Sequence, residues 1–134
     1  MIRLACETDK DLILRYDRHI SEERLEVCIR DEQVYVLLEG DKLVGVLRYS
    51  LFWQRLPFMD LLYLDEVRRG MGYGRRLVGH WEAQLRSRGY GYAMTSTQTD
   101  ETAKYFYEKL GYHRAGAFLP PEQEVEELVY WKAL

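Results

Sequence analysis

The chain has 134 residues, of which 47% are hydrophobic and 31% are charged. This length predicts one domain, residues 1–134, with a sizeable buried core. The formal net charge of −3 argues against a nucleic-acid partner, because that function needs a basic surface. No window approaches the roughly 18 consecutive apolar residues of a membrane span, so no membrane partner is expected either.

The N-terminal segment and the cysteines indicate a cellular compartment. Residues 1–7 turn acidic before the apolar core of a signal peptide can develop. Cys6 and Cys28 have no metal-ligand spacing and no motif beside them, so we expect buried free thiols in a reducing, cytoplasmic environment. The three histidines are scattered without companion ligands, and no metal site is predicted: His19, His80 and His113.

The first half of the chain alternates between strand and helix patterns. Thr8 or Asp9 is expected to cap a first helix and Ser21 a second. Pro57 is expected to mark a break before a central strand. The predicted strands are residues 2–5, 34–38, 43 to about 52, and about 58–64.

The second half contains two further helices, each followed by a strand. One helix carries apolar residues at helical spacing and ends at Gly89, and the next is capped by Thr99 or Asp100 and closed by Gly111. The strand before and the strand after the first of these helices make a right-handed crossover, which predicts two parallel strands. The predicted strands here are residues 90–95, 112–118 and 125–134.

A glycine-rich turn joins the central strand to its helix. Gly70, Gly72 and Gly74 let backbone N–H groups approach a ligand where the helix begins, and this arrangement predicts an anion site. Four arginines flank the turn, at positions 68, 69, 75 and 76. A P-loop needs Lys and Ser or Thr after the last glycine, and a dinucleotide fingerprint needs a third glycine at the Arg75 position, so both readings fail.

Two motifs carry a resemblance to a known family. Residues 69–74, Arg-Gly-Met-Gly-Tyr-Gly, resemble the Arg/Gln-x-x-Gly-x-Gly/Ala signature of the GNAT superfamily of N-acetyltransferases. Residues 100–112 resemble the family's second motif, Asn-x-x-Ala-x-x-Phe-Tyr-x-x-x-Gly-Phe/Tyr. Asp100 stands where that motif has Asn, which keeps a capping acceptor and removes an amide donor.

The resemblance implies an α/β fold. The predicted order β-α-α-β-β-β-α-β-α-β-β is that of the GNAT fold. We therefore expect a single mixed, mostly antiparallel sheet of about seven strands. Its central parallel pair is splayed, and helices cover both faces.

The resemblance also implies acetyl-CoA as co-substrate. The family's loop holds the pyrophosphate, and pantetheine enters the gap between the splayed strands. A backbone N–H near residues 62–64 then polarises the thioester carbonyl. The residues expected to bind the cofactor are Leu62, Tyr63, Leu64, Arg69, Gly70, Met71, Gly72, Tyr73, Gly74, Arg75, Asp100 and Tyr107.

By the same resemblance, Tyr107 protonates the departing thiolate, although its place on an apolar stripe also fits a core tyrosine. The attacking amine must lose a proton, because an ammonium has no lone pair. Asp60 on the central strand is the favoured base, and Glu66, Asp65 or water are alternatives. Each carboxylate is equally compatible with a solvated charge or a clamp on the substrate amine.

The expected function is transfer of acetyl to a primary amine by direct attack in a ternary complex. The alternatives are a noncatalytic acyl-CoA-binding or regulatory domain and, more weakly, a glycine-loop nucleotide binder. A small-molecule amine is favoured over a protein as acceptor. The aromatic segment around Phe52, Trp53 and Phe58 either lines an acceptor pocket or packs under the early helices. Exposed sheet edges predict a possible homodimer.

Overall fold

The computed structural model describes residues 1–134 as one seven-stranded sheet with four α-helices. The strands are β1 (Ile2–Leu4), β2 (Val34–Glu39), β3 (Lys42–Phe52), β4 (Leu56–Leu64), β5 (Tyr92–Gln98), β6 (His113–Phe118) and β7 (Glu127–Ala133). The helices are α1 (Lys10–Tyr16), α2 (Glu22–Arg30), α3 (Tyr73–Ser87) and α4 (Ala103–Lys109). Short 3₁₀ turns cover Glu7–Asp9 and Glu66–Arg68.

The strands lie in the order β1-β2-β3-β4-β5-β7-β6. All neighbours are antiparallel except β4 and β5, which are joined through the crossover helix α3. These two strands pair at only two positions, Phe58 with Met94 and Met59 with Thr95. Beyond this point they separate, so the predicted mixed sheet with a splayed parallel pair is confirmed.

Helices cover both faces of the sheet, as predicted. The apolar stripe of α3, including Leu77 and Trp81, packs with Tyr107 of α4 in the larger core cluster. On the opposite face, Ile13 of α1 and Leu25 of α2 form the smaller cluster with residues of β2 and β3. Helices α1 and α2 pack near the β1–β4 half of the sheet. On the face that they cover, β5–β7 contribute no residue to this smaller cluster.

A β-bulge interrupts β4 at Asp60. Arg48 of β3 pairs with Leu61, and the next residue, Tyr49, pairs with Met59, so Asp60 has no partner of its own. As a result Met59 and Leu62, three residues apart, both pack in the core cluster on the α3 face. The bulge therefore sets the direction of the Asp60 side chain just where β4 and β5 separate.

Several predicted boundaries were wrong for identifiable reasons. Pro57 lies inside β4, near the start of the strand, where a missing N–H is tolerated. Strand β5 begins at Tyr92 rather than 90, because the Tyr90 N–H still donates to the last turn of α3. It extends to Gln98, which pairs with Glu127 of β7.

The predicted helix caps were only partly right. Ser21 caps α2 by accepting from the Arg24 N–H at 3.2 Å. Neither Thr99 nor Asp100 caps α4, which begins after Thr102, because the Glu101 N–H closes a turn onto the Gln98 carbonyl instead.

Two side chains near the N-terminus also depart from expectation. Asp9 precedes α1 but does not cap it, because its carboxylate pairs with Arg3 at 2.7 Å and accepts from the Cys6 N–H at 2.8 Å. Cys28 is buried as expected, whereas Cys6 is exposed.

Candidate functional site

The turn before α3 presents backbone donors to a ligand. Gly70 and Gly72 adopt φ angles of 77° and 84°, which favour glycine. Gly72 is the N-cap residue, so the N–H groups of the first helical turn have no acceptor within the helix. Gly74 is needed for a different reason: a Cβ there would lie 3.2 Å from Phe106 and from Leu64. The turn thus combines free donors with a close approach to β4 and α4.

A clamp from β2 fixes this turn. Arg68 donates twice to Glu39, at 2.7 Å and 3.0 Å, and the Tyr73 hydroxyl donates to the same carboxylate at 2.8 Å. These hydrogen bonds lower the pKa of Glu39 to about 2. Arg68 and the Tyr73 side chain are therefore engaged in holding the turn rather than available to a ligand.

A cavity of about 870 Å³, the loop cavity, lies against the turn and α4. Arg69, Arg75 and Lys109 line it, with Glu101 as the single acidic residue. The Arg69 guanidinium is held between the Leu64 carbonyl, at 3.3 Å, and the Tyr63 ring, at 5.7 Å. The combination of three cations and a helix N-terminus fits an extended, strongly anionic ligand.

The gap between β4 and β5 offers backbone hydrogen-bonding groups. The Asp65 N–H donates to the Val44 carbonyl of β3 at 2.8 Å. Because antiparallel strands alternate, the N–H groups of Leu62 and Leu64 face the opposite edge, toward the gap. The Tyr63 side chain points to the sheet face that carries α1 and stacks on Tyr16, with ring centroids 4.6 Å apart. Its backbone N–H, like that of Asp65, faces β3, so Tyr63 presents no hydrogen-bonding group to the gap.

A second cavity of about 410 Å³, the strand-gap cavity, occupies the space between the separated strands. It shares Leu62, Glu101, Ala103 and Tyr107 with the loop cavity. Its charged lining residues are all acidic: Asp60, Glu101 and Glu127. The two adjoining cavities thus have opposite charge, and Tyr107 lies where they meet.

Tyr107 is almost fully buried, with 6% of its surface exposed. Burial raises the pKa of its hydroxyl to about 12, and the neighbouring Thr95 hydroxyl offsets only part of this. The hydroxyl therefore stays protonated throughout the neutral range. A protonated hydroxyl at the junction of the cavities can donate a proton to an anion bound there.

Asp60 shares a guanidinium with a second carboxylate. Arg48 Nε donates to the buried Asp17 at 2.7 Å, and Arg48 Nη1 lies 3.5 Å from Asp60. Burial raises the pKa of Asp60, while a hydrogen bond from Ser50 and the charge of Arg48 act in the opposite direction. The shorter contact of Arg48 is therefore to Asp17, and its contact to Asp60 is the weaker of the two.

Several other predicted site residues lie away from the cavities. Glu66 is exposed on the 3₁₀ turn after β4 and lines neither cavity, and Met71 and Asp100 are also exposed and outside both. Asp65 lies 3.9 Å from Lys42. The structure brings together Asp60, Tyr107, the backbone of Leu62 and Leu64, and the glycine turn.

The sequence interpretation missed the four polar residues that line the strand-gap cavity from outside β4 and β5. His19 comes from the α1–α2 connection, Gln123 and Glu127 from the segment before and into β7, and Glu101 from the turn before α4. Only Glu101 lies inside a recognised motif. The others carried no local signal, because they reach the cavity from distant parts of the chain.

Comparison with known proteins identifies the family. A family model described as "Acetyltransferase (GNAT) family" matches residues 3–112. The chain belongs to the GNAT acetyltransferase family. Among curated proteins, this GNAT chain is similar to blasticidin-S acetyltransferase of Streptomyces morookaense, with 36% identity over 84 residues. That match covers 62% of this chain and 60% of the relative, so the chain spans less than two thirds of the relative's length.

Solved structures confirm the GNAT fold. Ard1 from Thermoplasma volcanium superposes with a TM-score of 0.88 at 20% identity, covering 100% of this chain and 97% of that chain. An aminoglycoside 6′-N-acetyltransferase complexed with coenzyme A superposes with a TM-score of 0.81 at 19% identity, covering 99% and 96%. No group of three or more His, Cys, Asp or Glu side chains is arranged to hold a metal ion, and no helix combines the length and apolarity needed to cross a bilayer.

Proposed function

We propose that this protein is an acetyl-CoA-dependent N-acetyltransferase that moves an acetyl group to a primary amine by direct attack in a ternary complex. The observation that carries the proposal is the position of the buried Tyr107 at the junction of a cationic and an anionic cavity, beside the gap between β4 and β5. The cationic loop cavity suits the cofactor, and the anionic strand-gap cavity suits the amine.

The residues around the loop cavity fit acetyl-CoA, which supplies the acetyl thioester. The first N–H groups of α3, with Arg69 and Arg75, match a pyrophosphate. The free N–H groups of Leu62 and Leu64 match the amides of pantetheine and the thioester oxygen. Membership of the GNAT family and the coenzyme A complex of the aminoglycoside acetyltransferase support this assignment.

Two side chains divide the proton transfers. Asp60 takes a proton from the bound ammonium, and the free amine attacks the thioester carbonyl, forming the C–N bond. A Leu62 or Leu64 N–H donates to the carbonyl oxygen as negative charge develops on it. When the C–S bond breaks, Tyr107 donates its proton to the leaving thiolate. The attacking nitrogen releases a second proton as the amide forms, and that proton restores the Tyr107 hydroxyl. The proton on Asp60 passes to solvent, and no covalent enzyme intermediate forms.

The acceptor is proposed to be a small cationic amine. Asp60, Glu101 and Glu127 attract an ammonium to the strand-gap cavity and disfavour anionic substrates. The names of blasticidin-S acetyltransferase and aminoglycoside 6′-N-acetyltransferase indicate small-molecule acceptors in those proteins. A cytoplasmic location and a homodimer through an exposed sheet edge also stay predictions.

The test measures release of free CoA thiol from acetyl-CoA with a panel of a polyamine, amino acids, an aminoglycoside and a peptide. We expect release that depends on an amine, with inhibition by CoA and not by ATP. Binding of CoA without thiol release from any amine would favour the noncatalytic acyl-CoA-binding alternative. Competition by ATP as strong as that by CoA would contradict both the N-acetyltransferase proposal and the acyl-CoA-binding alternative.

A further inference from the structure

A third cavity of about 390 Å³, the apolar cavity, lies on the sheet face opposite α3. Phe58, Met94 and Val129 form its half-buried floor, and Phe52 and Phe118 stand at its rim. Its volume is within the range of small-ligand sites, which begins at about 300 Å³. The larger lining residues present aromatic and aliphatic surface, which fits a small apolar or aromatic group.

One charged residue lines the apolar cavity, and that residue is Asp60. Asp60 also lines the strand-gap cavity, so the two cavities share a carboxylate. Phe58 and Met94 face the apolar cavity, whereas their neighbours Met59 and Thr95 face the strand-gap cavity. The last paired positions of β4 and β5 therefore separate the two spaces, and the opening of the strands begins directly beside Asp60.

We infer that the apolar cavity binds the aryl or alkyl part of the acceptor, with the ammonium of the same molecule on Asp60. This inference rests on the proposed function and narrows its substrate class to amphiphilic primary amines. A ligand of this class satisfies both the single carboxylate and the apolar floor. A polyamine or a polyhydroxylated amine would leave the apolar surface in contact with polar groups.

The rim of the cavity favours such an occupant. Phe52 and Phe118 are 43% and 52% exposed, although Phe52 packs on Phe58 with ring centroids 6.1 Å apart. An aromatic or aliphatic group bound between these rings would remove their apolar surface from water. The Asp60 carboxylate gives the cavity a negative charge. This charge attracts an ammonium and repels a carboxylate or phosphate ligand.

Binding without the cofactor separates this inference from the proposed function. Calorimetry compares 2-phenylethylamine with ethanolamine, which carries an ammonium but no apolar group. We expect 2-phenylethylamine to bind at least about tenfold more tightly, because the ring is buried in the cavity. Equal affinity of the two amines would overturn the inference. Tight binding of 2-phenylethylamine with no thiol release would support the cavity and contradict the proposed function.

A cavity-filling substitution locates the site. Val129→Phe places a ring in the space, and we expect it to weaken 2-phenylethylamine binding about tenfold while leaving CoA and ethanolamine affinity unchanged. Leu12→Phe, on the exposed side of α1, is the matched control and should bind all three ligands normally. Unchanged 2-phenylethylamine affinity in folded Val129→Phe would overturn the inference. Sedimentation in which the parent is a dimer and Phe118→Asp is a monomer would do the same, because a second copy would then cover the rim.

Discussion

Thr95 donates its hydroxyl proton to the Met59 carbonyl over 3.0 Å, at the last position where β4 and β5 are paired. The bond is buried and ties the two halves of the sheet together immediately before the gap. The Thr95 hydroxyl also lies beside Tyr107 and lowers its pKa, which offsets part of the increase that burial causes. Thr95, the last residue of β5 that pairs with β4, therefore contacts Tyr107, the proposed proton donor.

Thr95→Val tests this tie. Valine has nearly the same shape but leaves the buried Met59 carbonyl without its hydroxyl partner, so we expect a loss of about 1–2 kcal/mol in the free energy of unfolding. Urea denaturation measures the loss. Thr95→Ser keeps the hydroxyl and should retain most of the bond, so equal stability of the two variants would show that the bond is unimportant.

Tyr107→Phe removes the proposed acid and keeps the ring. We expect kcat to fall by about 10²–10⁴, because a positioned general acid contributes that much, while CoA affinity and Tm stay close to those of the parent. A thioester with a more acidic leaving thiol should recover much of the rate. Tyr105→Phe, on the exposed side of the same helix, is the control. Full activity of Tyr107→Phe with acetyl-CoA would exclude the role.

Asp60→Asn removes the proposed base. Burial raises the pKa of Asp60 above its ordinary value, so activity should fall as the pH drops through that raised pKa and the carboxyl becomes protonated. In the variant we expect turnover to drop about 10²-fold or more and this acid limb to disappear, with CoA affinity unchanged. The pH profile of kcat/KM measures both. A profile that keeps its acid limb would move the role to Glu66, Asp65 or water, and Glu66→Gln and Asp65→Asn then distinguish these three.

Gly72→Asp tests the anion site. The substitution adds a side chain and a negative charge where φ is 84° and the N–H groups of α3 begin, so we expect CoA binding to be abolished. Gly79→Ala is the control in the same helix: a Cβ there meets open space, and alanine should stabilise the helix by about 0.5–1 kcal/mol without changing CoA affinity. Normal CoA affinity in folded Gly72→Asp would rule out this binding site.

Glu39 makes the turn sensitive to acid. Its pKa falls from 4.5 to about 2 in the folded protein, because Arg68 and Tyr73 donate to the ionised carboxylate. A depressed folded pKa stabilises the protein above the unfolded value, and this stabilisation is lost as the pH falls from about 4.5 toward 2. The difference in urea midpoint between the parent and Glu39→Gln should therefore be present near neutral pH and shrink across that window.

A matched control distinguishes Glu39 from general charge effects. Glu124→Gln removes an exposed carboxylate that forms no ion pair, and it should shift the urea midpoint little at any pH. A Glu39→Gln difference that stays constant down to low pH would contradict the clamp.

The sequence was sufficient for features that are local. The glycine turn, the start of α3 and the motif around Tyr107 each depend on residues close together in the chain, and the family resemblance then supplied the sheet and its gap. The clamp by Glu39 was not predictable, because Arg68 and Tyr73 are 29 and 34 residues away from it. The α4 boundary was missed because Asp100 fits a helix cap as well as it fits a turn.

The bulge at Asp60 shows a second limit. A regular strand alternates its side chains with period two, and one unpaired residue reverses that alternation for everything after it. Nothing in the local composition marks Asp60 as the extra residue. Its placement between two cavities depends on the register with β3, which only the folded sheet defines.

The brief pairing of β4 and β5 also affects how the molecule responds to its cofactor. The strands β1–β4 and β5–β7 form two antiparallel groups that pair with each other at only two positions, and α3 packs mainly on β2–β4. A ligand lying along Leu62 and Leu64 would form backbone hydrogen bonds in the gap, where β4 and β5 do not pair with each other. Cofactor binding should then slow amide exchange in β5 and β7 as well as in β4, so that the two groups of strands open as one cooperative unit.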